Sequence, residues 1–485
     1  MSFAIEFSLK TEPWQCDVLD RRFSIAEHIY NSLLNVSQKC YREMIRTKEY
    51  RKLVSQLSDD KKNNKVIYRK INDLRKQYGL SEYSLHSLVK EMQNHFKGVI
   101  DSFTAQKIAT RLWRAYEKNF FSNGKKLHYK KRGSLRSVEG KSNKTGIRFV
   151  KDHIIWLGLS IPVMIDYKNR YECEAVVQHE VSYCRIIRHY GKNRIYYTVQ
   201  LIMKGNPPVK YDETTGEVRH PVGSGDVGLD IGPSTIAVVS ENDTKLYELA
   251  DKVQDIEREK RLLLRKMDRS RRMTNPNNYN SDGTIKAGPK KWIRSKRYMK
   301  TLYRLRYISE KLARMRRMQH EMMANYIISL GDHIAVETMN FKGLAKRSTK
   351  TEISEKTGRY KRKKRFGKSI ANRAPAMLLD IVNRKLGYYD KKLIKIDTQK
   401  ARASQYNHMD GTYTKKSLSQ RWNHFDNGLD IQRDLYSAFL IMNINDDLET
   451  FNIEKCHERF EKFCILHDIE IQRLSASKHI KSFRL

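Results

Sequence analysis

Acid is the scarce charge in this chain. Asp and Glu total 55 against 95 Lys and Arg, a formal net charge of +40. A chain so basic repels itself unless something acidic neutralises it. Solubility alone needs far less charge, so a polyphosphate is the expected partner. The basic residues are spread along the whole length, so that partner should be large and wrapped by much of the surface. Long apolar runs are also missing. No stretch of eighteen apolar residues occurs, and residues 1–7 carry no basic leader. A membrane partner is therefore not expected. Cysteine is sparse: Cys16, Cys40, Cys173, Cys184, Cys456 and Cys464 are scattered without CxxC spacing. That argues against a disulfide framework and a cysteine-rich zinc site, and leaves reduced, mostly buried thiols.

What is present divides by period. At 485 residues the chain is too long for one ordinary core, so two or three domains are expected. Residues 1–12 hold a strand, with Phe3, Ile5, Phe7 and Leu9 alternating with other residues. Residues 13–124 turn helical. Leu19, Phe23, Ala26, Ile29, Tyr30, Leu33 and Leu34 form one stripe, and further stripes run over 66–78, 84–96 and 102–121, broken by polar turns such as 59–64. Residues 125–222 return to alternation, as at 185–187 and 195–202, with turns at Pro162, Pro207, Pro208 and Gly216. A strand, inserted helices and more strands suggest a β-barrel interrupted by a helical lobe.

The span 223–400 reads as buried strands over 225–250, then a basic helical hairpin from 251–272 and 296–330 within the insertion 251–330, with a Gly/Asn/Pro-rich tip at 275–289. A strand at 331–340, a basic loop at 345–373, a helix at 374–389 and a strand at 393–396 follow. Residues 401–430 are irregular, and 431–485 open with a helix at 433–445. There is no tandem repeat. The expected class is α+β and multidomain.

Three carboxylates stand out in this order. Asp230 lies in DVGLDIG, where Val227, Leu229 and Ile231 alternate with small or acidic residues and Gly228 and Gly232 leave room for a close backbone or phosphate. A carboxylate among buried apolar residues is costly unless paired or metal-bound. Glu337 follows the apolar strand of HIAVETM. Asp434 falls in the first turn of the helix in QRDLYSAFLI, where the helix dipole favours an anion. Singly, each has a bland reading as a turn, surface or capping residue. Together they follow the order strand-Asp, hairpin, helical insertion, strand-Glu, helix, strand, helix-Asp, which is how an RNase H-like sheet converges acids at one edge. Three acids can hold two divalent cations for in-line displacement at phosphorus. Oxygen-only ligands favour two Mg²⁺ or Mn²⁺ ions.

GLDIG with Asp230, VETMNFKGL with Glu337 and QRDLYSA with Asp434 resemble the three RuvC motifs of the TnpB family and of its descendants, the compact type V CRISPR effectors. Residues 102–121, SFTAQK…LWRAY…FF, resemble the family's helix ahead of the central strands. The resemblance spans nearly the whole chain in the family's order. It implies a wedge-like β-barrel with an inserted helical recognition lobe, followed by an RNase H-like (RuvC) nuclease domain with a helical-hairpin insertion. It implies a guide RNA, from a transposon end or a CRISPR array, and double-stranded target DNA, one protein per guide being favoured. The chain would be cytoplasmic and prokaryotic, and nucleoid-associated when on DNA. Sequence would be read by base pairing, the protein reading a short motif beside the target. By the same resemblance Ser102, Phe103 and Gln106 are candidates for that motif; ordinary helix packing is the competing reading. A guided repressor without efficient cleavage, a self-acting transposase and a non-enzymatic RNA scaffold are the alternatives.

One departure is plain. The family carries a four-cysteine zinc ribbon between the second and third acids. Here Asn407, Asp410, His424 and Asn427 stand at those positions. One good zinc ligand is not a site, so no structural zinc and a ribbon remnant over 401–430 are expected. Asn and Asp can still make turns there. Arg269, Arg271 and Arg272, then Lys290 and Lys291 beside Trp292, and the run 361–365 are candidate phosphate or stacking contacts; solvated helix faces are the competing reading. The segment 345–368 is a candidate lid over the acids.

Overall fold

The computed structural model describes all residues except 59–63, 122–126, 193, 347–350, 352, 355–357, 359, 361–365, 418–419, 427 and 477–485. The expected turn at 59–64, the basic loop and candidate lid, the run 361–365, Asn427 and the last nine residues therefore lie wholly or partly outside the described residues. No described helix is long and apolar enough to cross a membrane. The chain forms two compact units, Met1–Val209 and Lys210–Leu485. The division falls earlier than the 222/223 boundary expected from composition. Residues after Val209 join the second unit: Val222 packs on its core and the Gly223 amide donates to the Ile328 carbonyl at 2.9 Å.

In the first unit, β1 (Ser2–Leu9) precedes five helices: α1 (Pro13–Arg46), α2 (Lys48–Ser55), α3 (Asn64–Gln77), α4 (Glu82–Asn94) and α5 (Ser102–Phe121). After them come β2 (Ser137–Glu139), β3 (Arg148–Val150), β4 (His153–Trp156), β5 (Leu159–Met164), α6 (Arg170–Gln178), β6 (Val181–Tyr190) and β7 (Ile195–Lys204). The strands form one seven-stranded sheet in the order β2-β6-β7-β1-β5-β4-β3. The expected barrel is present as a half-barrel sheet: β2 and β3 are its end strands, and no pairing among the described residues joins them. α6 was not anticipated. Its start is legible after the fact, since the Asn169 side chain accepts from the Glu172 amide and Arg170 pairs with Glu174 one turn on.

β1 buries Phe3, Ile5, Phe7 and Leu9 and exposes the residues between them, the period-two signature of a half-buried strand. Against it lies the α1 stripe: Leu19, Phe23, Ala26, Ile29, Tyr30, Leu33 and Leu34 are all in the same core. α1 starts where Pro13 occupies the first turn and the Gln15 side chain accepts from the Glu12 amide. Two buried polar devices tie helices to strands. Arg22 donates to the carbonyl of Trp156 at 2.6 Å and stacks on its ring. Glu27, buried on α1, accepts the backbone amides of Gly133, Ser134 and Leu135.

The second unit is layered. β8 (Asp226–Ile231), β9 (Thr235–Ser240) and β10 (Thr244–Glu248) form an antiparallel meander, one strand more than the hairpin expected. α7 (Val253–Thr274) and α8 (Lys296–Leu330) form the helical hairpin. β11 (His333–Glu337), α9 (Phe341–Ala345), α10 (Gly367–Arg373), α11 (Pro375–Leu386), β12 (Ile394–Ile396), α12 (Thr398–Ala401), β13 (Trp422–His424), β14 (Asp430–Gln432), α13 (Arg433–Met442) and α14 (Ile453–Ser475) complete it. The main sheet runs β10-β9-β8-β11-β12, with β11 and β12 parallel to β8. Val227, Leu229, Ile231, Ile334 and Val336 face α8 and α11. Ala237, Val239, Ala335 and Ile396 face α13 and α14. α14 was absent from the sequence reading. On the β10 rim its Glu470 side chain accepts the Leu246 amide at 2.8 Å, and Arg473 donates to the Leu246 carbonyl. The six cysteines are free thiols. Burial pushes Cys184 and Cys456 up to about 12.

Candidate functional site

The sheet period decides where the acids point. Successive strand residues face opposite sides. Since Leu229 and Ile231 face α8 and α11, Asp230 faces α13. Since Ile334 and Val336 face the same way as Leu229, Glu337 faces α13 too. Register then aligns them: β11 pairs parallel with β8 at Val336 opposite Leu229, so Glu337 stands in the row beside Asp230. Asp434 comes from α13 itself. Gln432 caps that helix by accepting the Leu435 amide at 2.8 Å, which places Asp434 in the first turn.

One glycine sets how near that helix comes. A Cβ on Gly228 would stand 1.9 Å from the Ala438 carbonyl oxygen and 2.4 Å from the Met442 nitrogen. Backbone therefore packs on backbone, and the Asp434 turn, four residues before Ala438, is brought over the end of β8 that carries Asp230. The electrostatics register this convergence. Burial, then the charges of Asp434 and Glu337, hold the Asp230 carboxyl well above the usual carboxylate range, against the pull of Arg433 and Arg421. Burial pushes Glu337, 9% exposed, up to about 7.

As placed, the acids are not a ready cation cage. Among the described residues no three of His, Cys, Asp and Glu are arranged to hold an ion. Asp434 instead faces two guanidiniums, Arg421 at 3.5 Å and Arg433 at 3.4 Å. The sequence reading missed both arginines. Arg433 was legible, being adjacent to Asp434; Arg421 sits in the irregular stretch and gave no periodic signal. Arg433 also fixes the approach to the site, donating to the carbonyls of Ser417 and Gln420, while its amide donates to the Arg421 carbonyl at 2.8 Å. The donor set nonetheless suits a hard divalent ion. It is oxygen-only, and its carboxylates repel one another in a way that a cation would relieve.

The ribbon stretch keeps two turns. Tyr406 bridges to Tyr413, and β13 pairs with β14. The Asn407 side chain donates to the Asp410 carboxylate at 2.8 Å, and Asp410 accepts the Thr412 amide, so side-chain hydrogen bonds hold the turn. His424 is exposed and paired with Asp430. His408 is buried, 2% exposed, among Tyr436, Phe439 and Phe460. His408 and His424 therefore occupy quite different surroundings. Burial holds His408 down at about 4.

The remaining candidates lie on other elements. In the first unit Ser102 opens α5 and is exposed; Gln106 accepts from Lys141 at 3.2 Å, and Lys141 lies over the Phe103 ring. In the second unit Arg271 and Arg272 both pair with Asp268 and stack on Trp292 and Tyr279, respectively, and Lys290 donates to the carbonyls of Ala287 and Gly288. These three build the hairpin tip. Arg269 and Lys291 are exposed.

No family model matches the chain, and no curated protein matches it. Among solved structures it is similar to a Cas12f1–sgRNA–target DNA complex, at 11% identity and a TM-score of 0.40, covering 91% of this chain and 99% of that one. A CRISPR-Cas12f ternary complex matches at 15% identity and a TM-score of 0.25, over 89% of this chain and 82% of that one.

Proposed function

We propose that the chain is an RNA-guided DNA endonuclease of the TnpB and compact type V kind, with one RuvC site built from Asp230, Glu337 and Asp434. The observation that carries the reading is the gathering of three acids, far apart in sequence, on one face of the sheet, where burial pushes Glu337 up and burial with the charges of Asp434 and Glu337 holds Asp230 up. Structural ion-pair networks also perturb carboxylates, but three acids repelling one another serve no packing purpose. The +40 charge supports a partner rich in phosphates, as a guide RNA and its heteroduplex would be.

Asp230, Glu337 and Asp434 would hold Mg²⁺ or Mn²⁺. When bound, such ions activate a water and stabilise the leaving 3′ oxygen. The chain's own residues do the rest. Gly228 lets α13 deliver Asp434 to the sheet. Arg421 and Arg433 pair with Asp434 and pull Asp230 toward the ionised form that a cation would bind. The same cations are suited to neutralise a phosphate entering the site. The helical lobe would read the target-adjacent motif through Ser102, Phe103 and Gln106, and the first unit's sheet would serve as the wedge.

The test is to purify the chain from its native locus, sequence the RNA that accompanies it, and offer DNA matched to that RNA. Mg²⁺-dependent cutting of matched DNA alone is expected, and it should vanish in Asp230→Asn while guided binding persists. Sequence-specific cutting by an RNA-free preparation would refute the reading. RNA from a repeat array or from a transposon end would assign the guide's source.

A further inference from the structure

The ribbon stretch contains more than turns. Between the 406–413 turn and the β13–β14 pair lies a cavity of about 290 Å³, lined among others by Asn407, Thr414, Lys416, Gln420, Asn423 and Phe425. We propose that this cavity takes one nucleobase of the DNA strand delivered to the three acids. The inference rests on the nuclease reading above and adds a point of contact to it.

The lining is the argument. Phosphate sites are built from guanidiniums and backbone amides. The wall carries neutral amides and hydroxyls, with donors and acceptors matching the edge of a base, beside two lysines and the carboxylates of Asp410 and Asp426. Phe425, half-buried and edge-on to Tyr436 at 5.3 Å, offers an aromatic ring of the kind on which bases stack. One donor also lacks a use. Asn423 is 2% exposed, and its Oδ1 accepts from Lys416 Nζ at 2.5 Å. Its Nδ2 has no hydrogen-bond partner among the described residues. A buried donor left unpaired is costly, and a carbonyl or ring nitrogen of a base would satisfy it. Lys416 is itself partly desolvated, which holds its ammonium below the usual value with help from Arg433. A ligand acceptor is the natural second partner for both groups.

Position links the cavity to the chemistry. Gln420, on its wall, gives its carbonyl to Arg433 and precedes Arg421, and both arginines pair with Asp434. A base seated there would fix the strand one short loop from the acids. This is a positioning role, distinct from the pairing that guides the chain to its target.

The test uses binding alone. The full chain with its RNA, carrying Asp230→Asn to prevent cutting, is titrated with short single-stranded DNAs in which one abasic residue is stepped along the strand. One position is expected at which loss of the base weakens binding by about fivefold or more. Asn423→Asp, which keeps the shape but replaces the unpaired donor, and Lys416→Met should each erase that difference while the intact strand still binds. Melting temperatures near the parent's show that these variants fold. An abasic profile that is flat on a strand still bound, or a preference that survives Asn423→Asp in the folded protein, overturns the proposal. Base discrimination in a wild-type chain that fails to cut would leave the cavity standing and sink the nuclease reading.

Discussion

Gly228 of β8 meets the carbonyl of Ala438 on α13 so closely that a single added carbon would stand 1.9 Å from its oxygen. Backbone cannot yield as a flexible side chain can. Gly228→Ala should therefore lift α13 from the sheet at a cost of about 3 kcal/mol or more. Chemical denaturation would show a lowered midpoint for the second unit. DNA cutting should fall further than the stability loss explains, because Asp434 moves with the helix. A variant that cuts at the parent's rate would mean the helix does not set the site.

The raised carboxyls predict an unusual response to pH without metal. The folded chain holds protons on Asp230 and Glu337 that the unfolded chain releases. Their contribution is thus favourable below the unfolded carboxylate pKa and is lost as pH rises through the folded values, about 7 for Glu337. Asp230→Asn should melt a few degrees higher than the parent at pH 8 in chelator. Added Mg²⁺ should stabilise the parent and leave the variant unmoved. Thermal melts in the two buffers decide the matter; a variant that melts lower in chelator goes against it.

Arg421 and Arg433 favour the ionised form of Asp230. Replacing either with Gln removes a positive charge, stabilises the protonated acid and raises its pKa further. The acid limb of the pH–rate profile for cutting should move to higher pH, with guided DNA binding changed far less. An unmoved limb would indicate that neither guanidinium senses the acids in the working complex.

Glu27 tests the first unit by itself. It is 7% exposed and accepts three backbone amides, from Gly133, Ser134 and Leu135. Glu27→Ala strands those donors and should cost about 2–3 kcal/mol. Glu27→Gln, which keeps an acceptor, should cost less. Hydrogen exchange at 133–135 should accelerate most in the alanine variant.

How much of this was legible in the sequence follows from what each residue answers to. The α1 stripe from Leu19 to Leu34 and the alternation of Phe3 to Leu9 are local patterns tied to burial, and both elements lie where the period puts them. The order of the acids could be read because strand and helix periods surround each one. Their distance could not, because it is set by Gly228 against Ala438, two positions with no local signal of contact. α6 and α14 were overlooked for opposite reasons. α6 is a short excursion inside a region dominated by alternation. α14 has an apolar row, Cys456, Phe460, Phe463 and Leu474, behind an Asn452 cap, and was legible throughout. Arg421 came to light only because the ribbon folds it back onto α13.

The capped rim of the sheet has a consequence for a chain so basic. An edge strand with open amides and carbonyls invites another copy to add a strand. Long polyanions gather basic proteins to high local concentration, where such additions grow into aggregates. On β10 the Leu246 amide and carbonyl are both taken by α14 side chains, and the opposite edge, β12, is only three residues long. A second copy meeting this sheet would find blunt margins with few open amides and carbonyls to extend.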